Sequence, residues 1–489
     1  MGSQARAAVA LVLAAGLTAA CTADPGPGPA PEQVERHVGV QLFQWTWDAI
    51  ADECERVLGP AGFGWVMTSP PQEHILGEAW WTAYQPVSYQ LESRLGTREE
   101  LADMVRRCDA VGVEVYTDAV VNHMTGAPDD APIATGWAGS SYSHYEYPGI
   151  WTESDFHHCG RTADDDIVDY RDSFQVRDCE LVNLADLATE DDHVREQLAA
   201  YLADLVSLGV TGLRIDAAKH MPPEDIAAIT AELPEEVVIL QEVIRAAGEP
   251  VTPEQYVDAG LVYEFAWGEN IVGMLEGGSI RGFQELGSVG MLEGGQAVTF
   301  VDNHDTERNG RTLDATEGAT YLLANVLLLA GDYGTPVVYS GYAFSDRDAG
   351  PALDDAGAVL DATCPAEPDV DVERADGDWV CTHAWPAVTG MVGFHNATAG
   401  QPMTSWWQDV RAIAFGRGDA GFVVVNKADE PLSATWTTTL PAGSYCDVIT
   451  GPMVDGECSG PVVEVADDGT FSAEVPPVSA LALHVLARP

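Results

Sequence analysis

Eight short runs rich in β-branched and apolar residues recur along the chain, separated by stretches with helical spacing. This alternation limits the fold more tightly than any other feature of the sequence. The runs fall at 38–44, 64–68, 114–121, 212–217, 237–243, 261–265, 298–303 and 336–340. Between them lie amphipathic stretches such as 48–58, 98–111, 192–208 and 316–329. Strands that alternate with helices pair in parallel, because each helix carries the chain back across the sheet before the next strand starts. Eight such units predict an α/β chain closed into a (β/α)8, or TIM, barrel. In such a barrel the reactive side chains come from the C-terminal strand ends and the loops behind them.

Two stretches depart from the alternation. Residues 123–184, after the third run, are rich in Gly, Ser, Tyr and Asp and too long for a plain connection, which predicts a small inserted domain. From 409 the helical period gives way to alternating runs such as 422–426 and 433–440, with a turn at Asp468-Gly469. That pattern predicts a C-terminal antiparallel β-sandwich over 409–489. The barrel is accordingly assigned to 37–122 and 185–408.

The N-terminus reads as an export signal over 1–23, with Arg6 ahead of the apolar run from Ala7 to Ala20, which is too short to span a bilayer. Leu17-Thr18-Ala19-Ala20-Cys21 resembles a lipoprotein cleavage box, apart from Thr18. Two outcomes are open: lipidation of Cys21, anchoring the chain to the outer face of the cell membrane, or ordinary cleavage after Ala20 or Ala23. The Pro- and Gly-rich segment 24–36 can hold neither a helix nor a central strand and serves as a tether. Setting Cys21 aside leaves eight of the nine cysteines, an even number suited to a secreted protein. Local pairing suggests Cys54 with Cys108, Cys159 with Cys179, Cys364 with Cys381, and Cys446 with Cys458; zinc is the weaker reading because there is no C-x-x-C pair. The formal charge is -54, from 77 acidic and 23 basic residues, and only Lys219 and Lys427 are lysines. Nucleic acid is excluded as a partner. So much acid is read either as a solvated surface or as adaptation to salt.

Four strand ends carry polar clusters: Asp118-Ala-Val-Val-Asn122-His123, Gly212-Leu-Arg214-Ile-Asp216-Ala-Ala-Lys219-His220, Gln241-Glu242-Val243 and Val301-Asp302-Asn303-His304-Asp305. Carboxylates from different strands converge at a barrel mouth, and a convergent set beside an arginine suits glycoside hydrolysis, which needs one ionised nucleophile and one acid of raised pKa. Arg214 and Asp216 lie two positions apart on one strand and face the same way, which is expected to favour the Asp216 anion.

At these clusters the sequence closely resembles the α-amylases of glycoside hydrolase family 13, particularly their actinobacterial and animal branch. The resemblance runs from about residue 38 to 486. It is strengthened by Trp80-Trp81-Thr-Ala-Tyr84-Gln85-Pro-Val-Ser-Tyr89 and Ala414-Phe-Gly-Arg-Gly418. It implies an endo-hydrolase of α-1,4 links in starch, amylose, amylopectin and malto-oligosaccharides, acting with retention. Asp216 would be the nucleophile, Glu242 the acid and base, and Asp305 the carboxylate that stabilises the transition state, with Asp118 as a buttress. Trp80, Trp81, Tyr84, Gln85, His123, Arg214, Lys219, His220 and His304 would meet the sugars. A structural calcium ion would be held by the Asn122 and Asp186 side chains and the carbonyls of Arg177 and His220. Chloride, which many animal-type relatives bind, would use Arg214 and Asn303, but its third, basic ligand falls on Val337, so chloride dependence is not expected. A secreted monomer is expected, acting weakly on raw granules because no further module follows the run at 481–486. The rival readings are a transglucosylase of the same family and a catalytically inactive glucan-binding homologue. A phosphate-binding barrel isomerase lacks its Gly-rich loop here.

Overall fold

Residues 35–128, 132–288, 290–454 and 456–489 are described by a computed structural model. The leader at 1–23 with Cys21, and the tether up to residue 34, lie outside these residues. Among the described residues no helix is long and apolar enough to cross a membrane.

The eight runs form eight parallel strands: β1 (Gly39–Leu42), β2 (Trp65–Thr68), β3 (Glu114–Ala119), β4 (Gly212–Ile215), β5 (Val238–Gln241), β6 (Leu261–Tyr263), β7 (Ala297–Phe300) and β8 (Thr335–Ser340). They pair in chain order, and β8 closes the barrel on β1 with Gly39 opposite Val337. Most of their residues are buried, as expected for strands covered by helices outside and side chains inside. Trp65, Met67, Tyr116, Leu240, Tyr263, Phe300 and Val337 fill the interior. Two strand glycines make room for this filling. A Cβ on Gly39 would lie 2.2 Å from the Trp65 ring, and one on Gly212 would lie 2.4 Å from the Tyr116 ring. Those two rings stack at 4.4 Å.

The helices follow the predicted spans with local departures. The first is α-helical only over Trp47–Glu53 and continues as a π-turn over Cys54–Leu58. Arg98–Ala110 starts on a capping box in which Thr97 and Glu100 satisfy each other's backbone N–H groups. The stretch at 316–329 divides at Gly318 (φ 57°) into a 3₁₀ turn, Ala315–Glu317, and the helix Ala319–Ala330. All four cysteine pairs are bonded as local pairing suggests.

After β3 the chain leaves the barrel and returns beside its point of exit. Met124 N–H donates to Ala185 O (2.9 Å) and Ala185 N–H to Thr125 O (3.1 Å), so the excursion is zipped at its base. It holds the strand pair Ala134–Thr135 and Ser141–Tyr142, the helix Ser173–Asp178 and the Cys159–Cys179 bridge. The C-terminal β domain has a four-stranded sheet, ordered Met403–Gln408, Ala412–Arg417, Gly421–Asn426 and Ser479–His484, and three further strand pairs, with a core of Phe422, Trp436, Tyr445 and Phe471. It begins before the expected residue 409. Met403–Gln408 is a half-exposed strand whose register shifts between Thr404 and Trp407, with Ser405 at φ 50°, and this breaks the period-two pattern that would reveal it.

Candidate active site

The floor of the site is built around one buried guanidinium. Arg214, on β4, is 1% exposed and lies inside the barrel, with its charge 5.7 Å from the Tyr263 ring centroid. Its Nη1 meets Asp118 Oδ1 at 2.6 Å and Asp216 Oδ1 at 3.0 Å, and its Nη2 meets Glu242 Oε2 at 3.1 Å. Carboxyl groups at the ends of β3, β4 and β5 are thus gathered on one cation. Arg214 was expected among the sugar contacts. Instead it lies beneath the carboxylates and does not line the cleft.

The backbone after β4 turns sharply. Ala217 sits in the left-handed region (φ 50°), a conformation that costs a residue with a Cβ about 1 kcal/mol or more. It aims the Ala217 N–H at Glu242 Oε2, 2.9 Å away. Asp305 follows β7. The Asn303 side-chain oxygen accepts the N–H groups of Asp305 (3.0 Å) and Thr306 (2.9 Å), fixing the turn that presents the carboxylate. His304 is clamped between the rings of Phe43 (4.8 Å) and Tyr84 (5.1 Å). Gln41 Nε2 donates to its Nδ1 at 3.2 Å, so the proton of the neutral ring sits on Nε2, 3.5 Å from Asp305.

Burial governs the protonation of this cluster. It pushes Asp216 and Glu242 above the usual carboxylate range, and Asp118 and Asp305 up to about 7. Arg214 favours the Asp216 anion, as expected, but one guanidinium is shared by three buried carboxyls, and desolvation outweighs its share. The groups still differ. Arg214 alone opposes burial at Asp216, whereas Glu242 is pushed further by the Asp216 charge and Asp305 by that of Glu242. Burial also drives His123 down to about 4 and His304 well below its usual range, so both rings are neutral.

A cleft of about 590 Å³ opens over the trio, walled by Trp80, Trp81, Tyr84 and Gln85 on one part of its rim and Lys219 and His220 on another. Several of these polar groups are already engaged. His123 Nε2 lies 3.0 Å from the Tyr84 carbonyl, and Lys219 Nζ donates to Ile244 O (2.9 Å) and pairs with Glu249. The Tyr84 hydroxyl donates to Asp118 (3.0 Å). Tyr170, Val182, Glu249, Arg308 and Arg347 also line the cleft and were missed by sequence reasoning. Arg308 sits on the short helix Thr306–Asn309 and the others on loops; none carries a local signal, and the fold brings them to the rim. Val182 combines φ 47° with 75% exposure, unusual for a β-branched residue.

Two of the four expected cation ligands, Asn122 and Asp186, are adjacent side chains. Asn122 Nδ2 is 3.4 Å from Asp186 Oδ1, with both side chains buried. The His220 ring meets Val176 O at 2.8 Å, which brings the helix Ser173–Asp178, and with it Arg177, against the loop that carries His220. The second Asp186 oxygen is 2.7 Å from His157 Nδ1.

Residues 67–265 match the family described as α-amylase, catalytic domain, and residues 407–486 match α-amylase, C-terminal all-β domain. An α-amylase of Streptomyces violaceus is 43% identical over 483 residues, covering 98% of this chain and 79% of that protein. One from Thermomonospora curvata is 44% identical over 483 residues, covering 96% and 76%. The crystal structure of α-amylase I from Eisenia fetida superposes with a TM-score of 0.84 at 35% identity, covering 92% of this chain and 97% of that one. A glutamate-to-glutamine mutant of the same enzyme, in complex with maltohexaose, superposes equally well at 34% identity. Identity of this extent over nearly the whole length means that the chain belongs to the α-amylases of glycoside hydrolase family 13.

Proposed function

We propose that this protein is a secreted endo-hydrolase of α-1,4-glucans that cleaves starch and malto-oligosaccharides with retention of configuration. The observation that carries the reading is the single Arg214 guanidinium gathering Asp118, Asp216 and Glu242 on the floor of a cleft walled by Trp80 and Trp81. In the first step an Asp216 oxygen attacks the anomeric carbon while Glu242 gives its proton to the leaving glycosidic oxygen. The bond to that oxygen breaks and a glycosyl ester of Asp216 remains. In the second step Glu242 takes a proton from the attacking water, the ester bond breaks, and Asp216 is released as the anion. The environments suit this division: burial and the Asp216 charge raise the pKa of Glu242, which favours the protonated form that the transfer needs. Asp305 makes no ion pair with Arg214 and offers its charge to the oxocarbenium-like transition state. The neutral His304 ring turns Nε2–H toward Asp305 and the sugar. The Trp80 and Trp81 rings give glucose faces an apolar surface.

The buried Asp186 carboxylate and Asn122 amide, 3.4 Å apart at the base of the insert, offer oxygen ligands of the kind a hard divalent cation takes. Calcium held there by Asn122, Asp186, Arg177 O and His220 O would supply structural support, tying the insert to the barrel. Secretion rests on the leader at 1–23 and on the four disulfides. Sizing the products of amylose hydrolysis over time, with the anomer followed by NMR, tests the reading. Early mid-length products of α configuration are expected. β products would overturn retention, longer or cyclic glucans would mark a transglucosylase, and no cleavage would mark an inactive homologue.

A further inference from the structure

Beside the catalytic cleft lies a second depression, of about 830 Å³, walled by the segments Gly77–Ala79 and 346–357 and by the Trp137 ring of the insert. The two share a rim. Ala79 and Trp80 are neighbours across it, as are Asp346, Arg347 and Asp348, and Trp80 Nε1–H donates to Arg347 O at 3.0 Å to close it. We propose that this depression is a distal subsite for the stretch of α-glucan that runs out of the cleft past Trp80 and Trp81, with Trp137 as its stacking platform.

The walls are prebuilt. Buried Arg94 donates to the carbonyls of Ala79 (3.2 Å) and Trp80 (3.3 Å), and to Gln44 Oε1 (2.6 Å), which fixes the near wall from below. On the far wall, Gly350 packs so closely on Glu78 O that a Cβ would lie 2.1 Å away. The Trp137 ring is backed on one face by the His74 ring at 5.9 Å, and the Trp137 backbone N–H donates to His74 O at 2.9 Å. Gly357 approaches the edge of the ring without a side chain. An aromatic face bordered by hydrogen-bond acceptors is the chemistry that binds a sugar ring, whose CH face stacks while its hydroxyls donate. The acceptors here are Glu78, Asp346, Asp348, Asp354 and Asp355, and among the described residues no basic side chain lines the depression, which disfavours phosphorylated or other anionic ligands.

This inference rests on the α-glucan reading above, and the two can fail separately. Trp137→Ala, Trp137→Phe and Ala356→Leu, the last filling the depression from the exposed far wall, are compared with the wild type on amylose and on a chromogenic maltotrioside short enough to lie within the cleft. Trp137→Ala is expected to raise KM for amylose by about tenfold, the loss of one stacking contact, with kcat and the maltotrioside kinetics unchanged. Ala356→Leu should act in the same direction, and Trp137→Phe should stay near wild type. Equal losses on both substrates, or an unchanged amylose KM in both Trp137→Ala and Ala356→Leu, would overturn the subsite while leaving the hydrolase reading intact. A wild type inert on both substrates would overturn the hydrolase reading itself.

Discussion

Glu242 lies 3.1 Å from the Arg214 guanidinium and still holds its proton more tightly than an ordinary carboxyl, because burial and the Asp216 charge together outweigh that cation. A carboxyl raised above its usual 4.5 in the folded state favours folding below that value and opposes it progressively as pH rises through the folded pKa. Glu242→Gln removes that penalty along with the proton donor. Its activity on starch should drop by about 10²–10⁴-fold. Its melting temperature should exceed that of the wild type at pH 8, with a smaller gap at pH 5; a gap independent of pH would show that the carboxyl is not held high. Val337 points to a second outcome. It is packed in the barrel interior with Tyr263 and Phe300 and offers no donor, while Arg214 is occupied by three carboxylates. A buried anion there would be poorly compensated. Activity after dialysis into chloride-free acetate at fixed ionic strength should therefore not rise when chloride is returned, and a saturable several-fold activation would refute this. The strand-end clusters that hold the trio were legible, since each follows an apolar run, and the family resemblance picked its members out of them. The sharing of Arg214 was not, because sequence spacing reveals Asp216 as a partner but not Asp118 or Glu242 from other strands.

The joints between elements rest on a few buried polar groups. Lys427, after the strand Gly421–Asn426, sends its Nζ to the carbonyls of Met274 (2.6 Å), Leu275 (3.1 Å) and Gly277 (3.1 Å), at the C-terminal end of the helix Phe265–Leu275. It supplies three donors and a positive charge where helix carbonyls lack partners. Lys427→Met should lower the stability by about 1–3 kcal/mol, measured by denaturant unfolding, with kcat unchanged. A neutral result would mean that water replaces the ammonium group. At the base of the insert, a cation bound only by the folded chain adds stability that falls as free ion is removed. Excess chelator should lower the melting temperature of the wild type and leave Asp186→Asn little changed; insensitivity of the wild type would remove the proposed calcium site. Strand and helix spans were legible from their periods. Breaks such as Gly318 and Ser405 were not, because a single positive φ interrupts a pattern without changing its composition.

Across the whole molecule the charge of -54 is distinctive in where its few lysines lie. Lys219 and Lys427 are both buried, so the surface of the described residues has arginine and histidine as its only side-chain cations. Added salt shortens the screening length from about 10 Å at 0.1 M to about 3 Å at 1 M, which weakens repulsion among exposed carboxylates. The melting temperature should therefore rise with sodium chloride toward molar concentrations, and a monotonic fall would mark the acid as an ordinary solvated coat. The sequence by itself determined the barrel and the C-terminal β domain, because periodicity is a local property of the chain; it suggested the disulfide partners by local pairing, and it singled out the candidate trio through the family resemblance at the strand-end clusters. Only the tertiary structure decided that Arg214 lies beneath the carboxylates, that burial sets their protonation, and that Trp137 stands in a depression beside Trp80. Those facts depend on which strands and loops the closure of the barrel brings within a few ångströms of one another, and that is a property of distances the sequence does not contain.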